Sequence, residues 1–196
     1  MYGVDVAATR FDDLDKRLLA AVQAAPGSRV LELGCGSGAL AVQLAHSGAQ
    51  ITAVDLLPHE HWKQHPEVNF QAYEATAWLK EDTATYDFCC VQRMLHYVPY
   101  KTAYLLLETL RTKVHGQLYL AVTGLESDVG DYYPKRKTQL SQRFGPLTAA
   151  GAAIFHIHEP VCLYTPEECS ALLQATGWEI EELWVSAFGN IKAICR

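Results

Sequence analysis

Short apolar runs and amphipathic stretches alternate along the chain. The runs are typical of buried parallel strands, and the stretches between them carry apolar residues at helical spacing. Strands and helices in this alternating order indicate an α/β fold with a mainly parallel sheet. The predicted strands are 29–34, 51–54, 68–72, 86–91 and 118–122, and the predicted helices are 11–24, 38–47, 75–81 and 99–113.

The pattern changes after the fifth predicted strand. A long excursion over 124–163 interrupts the alternation. A last helix is predicted to begin at Thr165 and to end near Gly177, because Thr can cap a helix and the following Pro-Glu-Glu suits a first turn. Two further strands, 179–186 and 190–195, are close enough in sequence to form an antiparallel hairpin.

Composition narrows the class of protein. The 196 residues are 49% hydrophobic and 19% charged, which predicts one domain over 1–196 with a substantial core. The net charge of −6 argues against nucleic acid as the main partner, because phosphate binding needs concentrated Lys and Arg. No signal-type segment opens the chain, and no run approaches the ~18 apolar residues that span a bilayer. The six cysteines lack disulfide or CxxC spacing, so a reducing, cytoplasmic setting is expected.

A glycine-rich turn follows the first predicted strand. Residues 30–38 read Val-Leu-Glu-Leu-Gly-Cys-Gly-Ser-Gly, and a helix is predicted to follow. Strand, glycine turn and helix form the layout of a nucleotide site, since glycine permits close approach of a ligand. Asp55 ends the second strand, where a carboxylate can bind the vicinal hydroxyls of a ribose. This chemistry serves NAD and S-adenosylmethionine equally, whereas a Walker phosphate loop is excluded because no Gly-Lys-Ser/Thr follows.

Three features together resemble the class I S-adenosylmethionine-dependent methyltransferases. Glu32 and the three glycines that follow it are similar to the first motif of that family. The segment 70–79 resembles the third-strand region, although Glu74 stands where Asp is more usual, and the chain's last helix and hairpin resemble the family's ending. The resemblance implies a Rossmann-like three-layer sandwich with a seven-stranded, mainly parallel sheet, an antiparallel last strand and the order 3-2-1-4-5-7-6. A different Rossmann-type enzyme, using NAD, is the alternative.

The resemblance also implies S-adenosylmethionine as cofactor and S-adenosylhomocysteine as product. Asp55 would hold the ribose, Leu56 would pack on adenine, and Glu74 with Ala75 would lie near the adenine amino group. The alternative for Glu74 is an exposed carboxylate at a helix start. Glu32 would brace the glycine turn or meet the amino acid end of the cofactor through water. The other expected cofactor contacts are Gly34, Cys35, Gly36, Ser37, Gly38, Gln92 and, from a helical lid over 1–25, Arg10.

Residues 92–97 follow the fourth strand, where ligands of this fold bind beyond the carboxyl ends of the strands. Methyl transfer is an in-line displacement, for which the enzyme mainly positions the nucleophile and excludes water. Many small-molecule methyltransferases carry histidine at the position of His96, so His96 is the candidate general base. Its alternative is a histidine that only hydrogen-bonds the cofactor loop or caps the next helix. The Asp/Asn-Pro-Pro-Tyr and Pro-Cys motifs of nucleobase enzymes are absent.

The segment 124–163 is expected to form the substrate cap, because the family usually builds specificity there. Tyrosines would line an aromatic pocket and cationic side chains would receive an anionic group, although Lys135 to Lys137 also fits a solvated charge run. His156 and His158 would share one face of a strand, but neither they nor the histidines of 59–65 have enough metal-spaced partners, so no metal is expected. The expected substrate contacts are Tyr97, Tyr132, Tyr133, Arg136 and His156.

Methyl transfer to an oxygen or nitrogen of a small molecule is therefore the predicted function. One alternative is an RNA or protein methyltransferase that uses a basic patch of Lys135, Arg136, Lys137 and Arg143. The other is a non-catalytic subunit that only binds S-adenosylmethionine. A monomer and a homodimer both remain open.

Overall fold

The structure is a computed structural model, and it describes residues 11–196. Residues 1–10 of the predicted lid, including Arg10 and its predicted contact with the cofactor, lie outside the described residues. The helices are α1 (Asp13–Ala24), α2 (Ala39–His46), α3 (Ala75–Glu81), α4 (Tyr100–Lys113), α5 (Ala149–Phe155) and α6 (Pro166–Ala175). The strands are β1 (Arg29–Leu33), β2 (Gln50–Asp55), β3 (Asn69–Ala72), β4 (Tyr86–Gln92), β5 (Val114–Thr123), β6 (Ile180–Val185) and β7 (Asn190–Cys195).

The seven strands form one sheet in the order β3-β2-β1-β4-β5-β7-β6. β1 pairs in parallel with β2 and β4, β2 pairs in parallel with β3, and β6 pairs antiparallel with β7. The predicted Rossmann-like fold class and strand order are confirmed. Four of the five residues of β1 are buried, as expected for an apolar strand with a neighbour on each side.

The chain divides into two compact units. The N-terminal unit holds the described residues up to Gln92 together with Thr112–Tyr119, and its buried side chains include Leu31, Leu33, Val54 and Cys89. The C-terminal unit holds Arg93–Arg111 and Leu120–Arg196. The predicted single domain and the limits of its lid and cap stay predictions. Within residues 11–196 no helix is long and apolar enough to span a membrane.

The fifth strand begins earlier than the apolar pattern predicts. It starts at Val114 rather than at Leu118, because residues 114–117 (Val-His-Gly-Gln), which do not form a continuous apolar run, extend the strand directly from the end of α4. Gly116 lies where a Cβ atom would come within 2.1 Å of the backbone oxygen of Asp87. The absence of a side chain there permits the close approach, a signal that hydrophobic periodicity does not carry.

The predicted strand with His156 and His158 on one face is wrong. Residues 149–155 form α5, a run of small residues that begins with Thr148 as N-cap, whose hydroxyl accepts a 3.2 Å hydrogen bond from the N–H of Gly151. His156 ends the helix in a left-handed conformation with a φ of 56°. Alanine favours a helix here, and the helix C-terminus turns the chain before His158.

Candidate functional site

The glycine turn connects β1 to α2 and lies beside the end of β2. The N–H groups of Gly34 and Cys35 donate to the carbonyl of Val54 over 2.8 and 3.2 Å. Gly34, Gly36 and Gly38 all have a positive φ, at 75°, 54° and 84°. The turn therefore depends on backbone conformations that residues with a side chain adopt only at a cost.

The carboxylate of Asp55 is hydrogen-bonded to the glycine turn. Its Oδ2 accepts 2.8 Å from the N–H of Gly36, and its Oδ1 accepts 3.3 Å from the N–H of Leu57. An ionised carboxylate has about four lone-pair positions, so two remain for further donors such as ribose hydroxyls. The structure thus brings together two residues that the sequence predicts to share a site.

Two aromatic residues that the sequence analysis did not single out for this site flank the same turn. The indole N–H of Trp62 donates 3.1 Å to the carbonyl of Gly36, and the Trp62 ring stacks on Phe70 with centroids 4.8 Å apart and planes within 2°. A Cβ atom on Gly38 would lie 2.4 Å from the Phe70 ring. Trp62 lies in the short 3₁₀ helix Glu60–Gln64, and one tryptophan in a His- and Pro-rich loop was the only signal for it.

An exposed apolar surface follows Asp55. The side chains of Leu56 and Leu57 are 47% and 56% exposed, and Tyr73, whose N–H donates 2.8 Å to the carbonyl of Asp55, is 39% exposed. Large apolar side chains that a ligand would cover are typical of binding sites. Leu56 is therefore available for the contact with adenine that the sequence predicts.

Glu74 is the N-cap of α3, and Ala75 is the first residue of that helix. The Glu74 carboxylate accepts hydrogen bonds from the N–H of Thr76 at 3.1 Å and of Ala77 at 2.8 Å. Partial burial raises the pKa of Glu74, but these bonds together with the Thr76 hydroxyl outweigh it, so the pKa is lowered overall. This geometry matches the second of the two predicted roles, a carboxylate at a helix start; a contact with adenine stays a prediction.

Glu32 and Gln92 lie on adjacent strands below the turn. Glu32, the fourth of the five residues of β1, is 5% exposed and lies opposite Cys90 of β4. Burial, and next the Glu32 carboxylate, raise the pKa of Cys90, so this thiol stays protonated at neutral pH.

Gln92 ends β4, and its side-chain amide donates to the carboxylate of Asp15 in α1. Asp15, buried and also hydrogen-bonded at 2.7 Å by the N–H of Asp12, is a polar residue near the predicted site that sequence reasoning missed.

The two other predicted cofactor contacts lie within the turn itself. Cys35 is buried, and Ser37 is partly exposed. The sequence placed both in the motif by position alone, and a contact with a cofactor stays a prediction for each.

In the C-terminal unit, His96 is buried in the 3₁₀ turn Leu95–Tyr97 and is 2% exposed. Burial, and next the charge of Arg93, lower the pKa of His96 to about 3, so the ring is neutral at physiological pH. The Nδ1 atom accepts a long, 3.5 Å hydrogen bond from the N–H of Thr123. Because a backbone N–H can only donate, this contact assigns the single ring proton to Nε2. The arrangement favours a hydrogen-bonding histidine, and the base role stays a prediction.

The segment that contains His96 is attached to the predicted cap. The carbonyl of His96 accepts 2.7 Å from the N–H of Cys162, and the Tyr97 ring packs against a hydrophobic cluster within 124–163. We call this cluster the cap core; it consists of Leu125, Tyr133, Leu147, Ile157, Val161 and Leu163. Residues of 124–163 and the segment after β4 therefore pack together.

The predicted substrate contacts other than Arg136 differ in how far they are exposed to a ligand. Tyr133 is buried in the cap core, and its hydroxyl contacts the carbonyls of Arg143 and, at 2.7 Å, Val161. Tyr132 is partly exposed, with its ring 5.8 Å from that of Phe155, and Tyr97 is also partly exposed. His156 is exposed at the end of α5. Tyr132, Tyr97 and His156 can reach a ligand more readily than Tyr133.

The predicted basic patch is largely engaged by the protein itself. Arg143 is 5% exposed and pairs with both oxygens of Glu168, at 2.5 and 2.7 Å. Arg136 pairs with Glu126 at 2.5 Å and with Asp131 at 3.2 Å. The ammonium of Lys135 donates 2.6 Å to the carbonyl of Phe144. Two of the four cations are thus paired with carboxylates, which lowers the net positive charge that the patch offers to a polyanion.

Among residues 11–196, no group of three or more His, Cys, Asp or Glu side chains is placed to hold a metal ion.

Comparison with known proteins gives one family and several relatives. A family described as "Methyltransferase domain" matches residues 6–183. The ubiquinone biosynthesis O-methyltransferase of Xanthomonas oryzae pv. oryzae (strain PXO99A) is 31% identical over 102 residues, which cover 48% of this chain and 43% of that protein. The matched part thus spans less than half the length of this curated relative.

Solved structures share the fold. A Burkholderia thailandensis 1,6-didemethyltoxoflavin-N1-methyltransferase, with bound 1,6-didemethyltoxoflavin and S-adenosylhomocysteine, has a TM-score of 0.69 at 17% identity and is matched over 98% of this chain and 80% of its own. A Rhodobacter sphaeroides protein named among putative Zn-dependent alcohol dehydrogenases has a TM-score of 0.71 at 15% identity, and the match covers 98% of this chain and 93% of that protein. Identities this low establish the fold alone.

Proposed function

The chain belongs to the methyltransferase-domain family, and from that premise we propose that it transfers a methyl group from S-adenosylmethionine to a small-molecule acceptor. The observation that carries the proposal is the pairing of Asp55 with Gly36 beside the exposed side chain of Leu56. A carboxylate with unused lone pairs, a turn whose three glycines permit close approach and an open apolar surface fit the ribose, the amino acid portion and the adenine of this cofactor.

Bound S-adenosylmethionine would supply an electrophilic methyl group on its sulfonium; an acceptor atom would bond to that methyl in line as the carbon–sulfur bond breaks, and S-adenosylhomocysteine would leave. Asp55 would hold the ribose hydroxyls, and Leu56 would cover one face of the adenine. The glycine turn would let the cofactor approach the backbone. The neutral ring of His96 would present the proton on Nε2 as a hydrogen-bond donor, while its Nδ1 stays bound to Thr123. An acceptor with an acidic proton, such as a phenol, would release that proton to water and would need no strong base, and positioning would supply much of the rate.

A small acceptor is proposed because two of the four cationic side chains of the predicted patch are paired with carboxylates. Arg143 is buried in an ion pair with Glu168, and Arg136 lies between two carboxylates. A polyanion such as RNA is bound through cations that release counterions, and paired cations contribute little to that. An oxygen acceptor is the first choice, since O-methyltransferase is the name of the curated relatives.

The test is production of S-adenosylhomocysteine, measured by mass spectrometry. The protein is incubated with S-adenosylmethionine and separate pools of phenols, carboxylic acids, amines, RNA and peptides. Product that depends on a phenol, carboxylic acid or amine supports the proposal. Product only with RNA or peptides would replace the acceptor class, and cofactor binding without product in any pool would favour a non-catalytic subunit.

A further inference from the structure

We infer that Trp62 is a positioning residue for cofactor binding, because its indole N–H holds the carbonyl of Gly36 and so fixes the glycine turn. The inference rests on the proposed function and extends it to a residue outside the glycine motif. Trp62 acts through the turn, and no contact between its ring and the cofactor is required.

Both polar groups of Gly36 are bound by side chains from the end of β2 and from the 3₁₀ helix that follows it. Its N–H donates 2.8 Å to Asp55, and its carbonyl accepts 3.1 Å from the indole of Trp62. Gly36 has a φ of 54° and no side chain, so without these contacts its two flanking peptides could rotate. Asp55 and Trp62 therefore set the orientation of two successive peptide groups in the turn.

Trp62 is itself held in place through its ring and through its backbone. The ring is stacked in parallel on Phe70 at a centroid distance of 4.8 Å, and the backbone N–H of Trp62 donates a 3.1 Å hydrogen bond to the carbonyl of His59. Phe70 in turn fills the space next to Gly38, where a Cβ atom would lie 2.4 Å from its ring. Trp62, Phe70 and Asp55 thus form a frame around the turn from Gly36 to Gly38.

A turn that is already oriented binds its ligand without a further loss of conformational entropy. Loss of one neutral hydrogen bond that orients it is expected to weaken S-adenosylmethionine binding about 3- to 10-fold. Because Trp62 is placed to act on the turn and not on the acceptor, KM for the cofactor is expected to rise by that factor while kcat stays close to the parent value.

The test compares Trp62→Phe with Trp178→Phe. Phenylalanine keeps an aromatic ring for the stack on Phe70 but removes the N–H donor. Trp178 is the matched control, because its indole N–H also donates 3.1 Å to a backbone carbonyl, that of Leu107. Calorimetry gives Kd for S-adenosylmethionine and S-adenosylhomocysteine, and hydrogen exchange of the peptide that spans 34–38 is followed without ligand.

Trp62→Phe is expected to raise both Kd values about 3- to 10-fold and to speed exchange in the turn. Trp178→Phe is expected to leave both unchanged, even where its unfolding temperature falls. Parent-like Kd values and exchange in Trp62→Phe would overturn the inference and leave the proposed function intact. A parent protein that binds neither molecule would overturn the proposed function and the inference with it.

A second variant covers the case in which Trp62→Phe does not fold. Phe70→Leu leaves the indole N–H in place but removes the ring on which it is stacked. Looser placement of the indole is expected to raise Kd in the same direction, and a parent-like Kd in Phe70→Leu would then count against the inference.

Discussion

The N–H of Gly36 donates a 2.8 Å hydrogen bond to Oδ2 of Asp55, which ties the turn after β1 to the end of β2. The two residues come together because β1 and β2 pair in parallel, with Leu33 opposite Val54, so that their carboxyl ends lie side by side. Ligands of open α/β sheets bind at such ends. The register of two strands therefore places a motif glycine and a motif carboxylate in one site.

Gly38→Ala is predicted to destabilise the protein by about 2 to 4 kcal/mol. About 1 kcal/mol or more comes from a positive φ with a side chain, and the rest from the collision with Phe70. Gly27→Ala is the matched control, because Gly27 has nearly the same φ, 83° against 84°, and no atom within 4 Å of a built Cβ. Urea unfolding of both variants measures the difference.

The collision is tested further by the double variant Gly38→Ala/Phe70→Leu. Leucine at position 70 is smaller than phenylalanine and has no ring, so it is expected to relieve the collision. The double variant should therefore lose less free energy of unfolding than the sum of the losses in the two single variants. Equal losses of free energy of unfolding in Gly38→Ala and Gly27→Ala would show that Phe70 does not require a glycine at position 38.

Hydrophobic periodicity was sufficient to predict most strands and helices and the α/β class, whereas the family and the order of the strands came from the resemblance of the motifs to known methyltransferases. The apolar runs around Leu31 and Val54 and the capping sequence at Thr165 each correspond to an element of the structure. Local capping and burial determine such elements, and both can be derived from a sequence. The helix α5 was missed because an alanine-rich run has no apolar stripe, and its end at His156 depends on one left-handed residue.

The site was predictable only where a motif fixes it. Gly36 and Asp55 meet because of strand register, which the fold class implies. Trp62 and Asp15 reach the site region through tertiary packing from a loop and from α1, and no spacing in the sequence indicates either contact. For the same reason the burial of Arg143 could not be predicted from a run of cations.

His96→Asn is predicted to make the protein less sensitive to acid. In the folded state the pKa of His96 is lowered to about 3, whereas an unfolded histidine has a pKa of about 6.5. The stability from a neutral ring is therefore present above pH 6.5 and is lost as the pH falls toward 3, by about 2 kcal/mol between pH 7 and pH 5. Asn cannot titrate, yet its carbonyl can accept the N–H of Thr123.

The measurement is chemical unfolding of the parent and His96→Asn at pH 7 and pH 5, with exposed His158→Asn as control. The free energy of unfolding that is lost between pH 7 and pH 5 should be smaller by about 2 kcal/mol in His96→Asn only. An equal loss in all three proteins would mean that the His96 ring titrates normally. A methylation rate abolished in His96→Asn, with stability retained, would instead support the base role.

Arg143→Ala is predicted to destabilise the protein by about 3 to 5 kcal/mol, as removal of one partner of a buried ion pair does. The Glu168 carboxylate would lose a bidentate partner, and the carbonyl of Leu163 would lose a 3.0 Å donor. Exposed Lys137→Ala, from the same run of cations, should change stability by no more than about 0.5 kcal/mol. Urea unfolding compares the two, and a parent-like stability of Arg143→Ala would contradict the structural role.

The central claim, a site for S-adenosylmethionine at the turn held by Asp55, is tested most directly by calorimetric titration of that cofactor into the parent, Asp55→Asn and Asp87→Asn. Asp87 is the matched control, since its Oδ2 also accepts a 2.8 Å hydrogen bond from a backbone N–H, that of Arg29. The account predicts binding by the parent, weakening by about 1.5 kcal/mol or more in Asp55→Asn and parent-like binding in Asp87→Asn. A parent that does not bind the cofactor, or an Asp55→Asn variant that binds it as tightly as the parent, would contradict it.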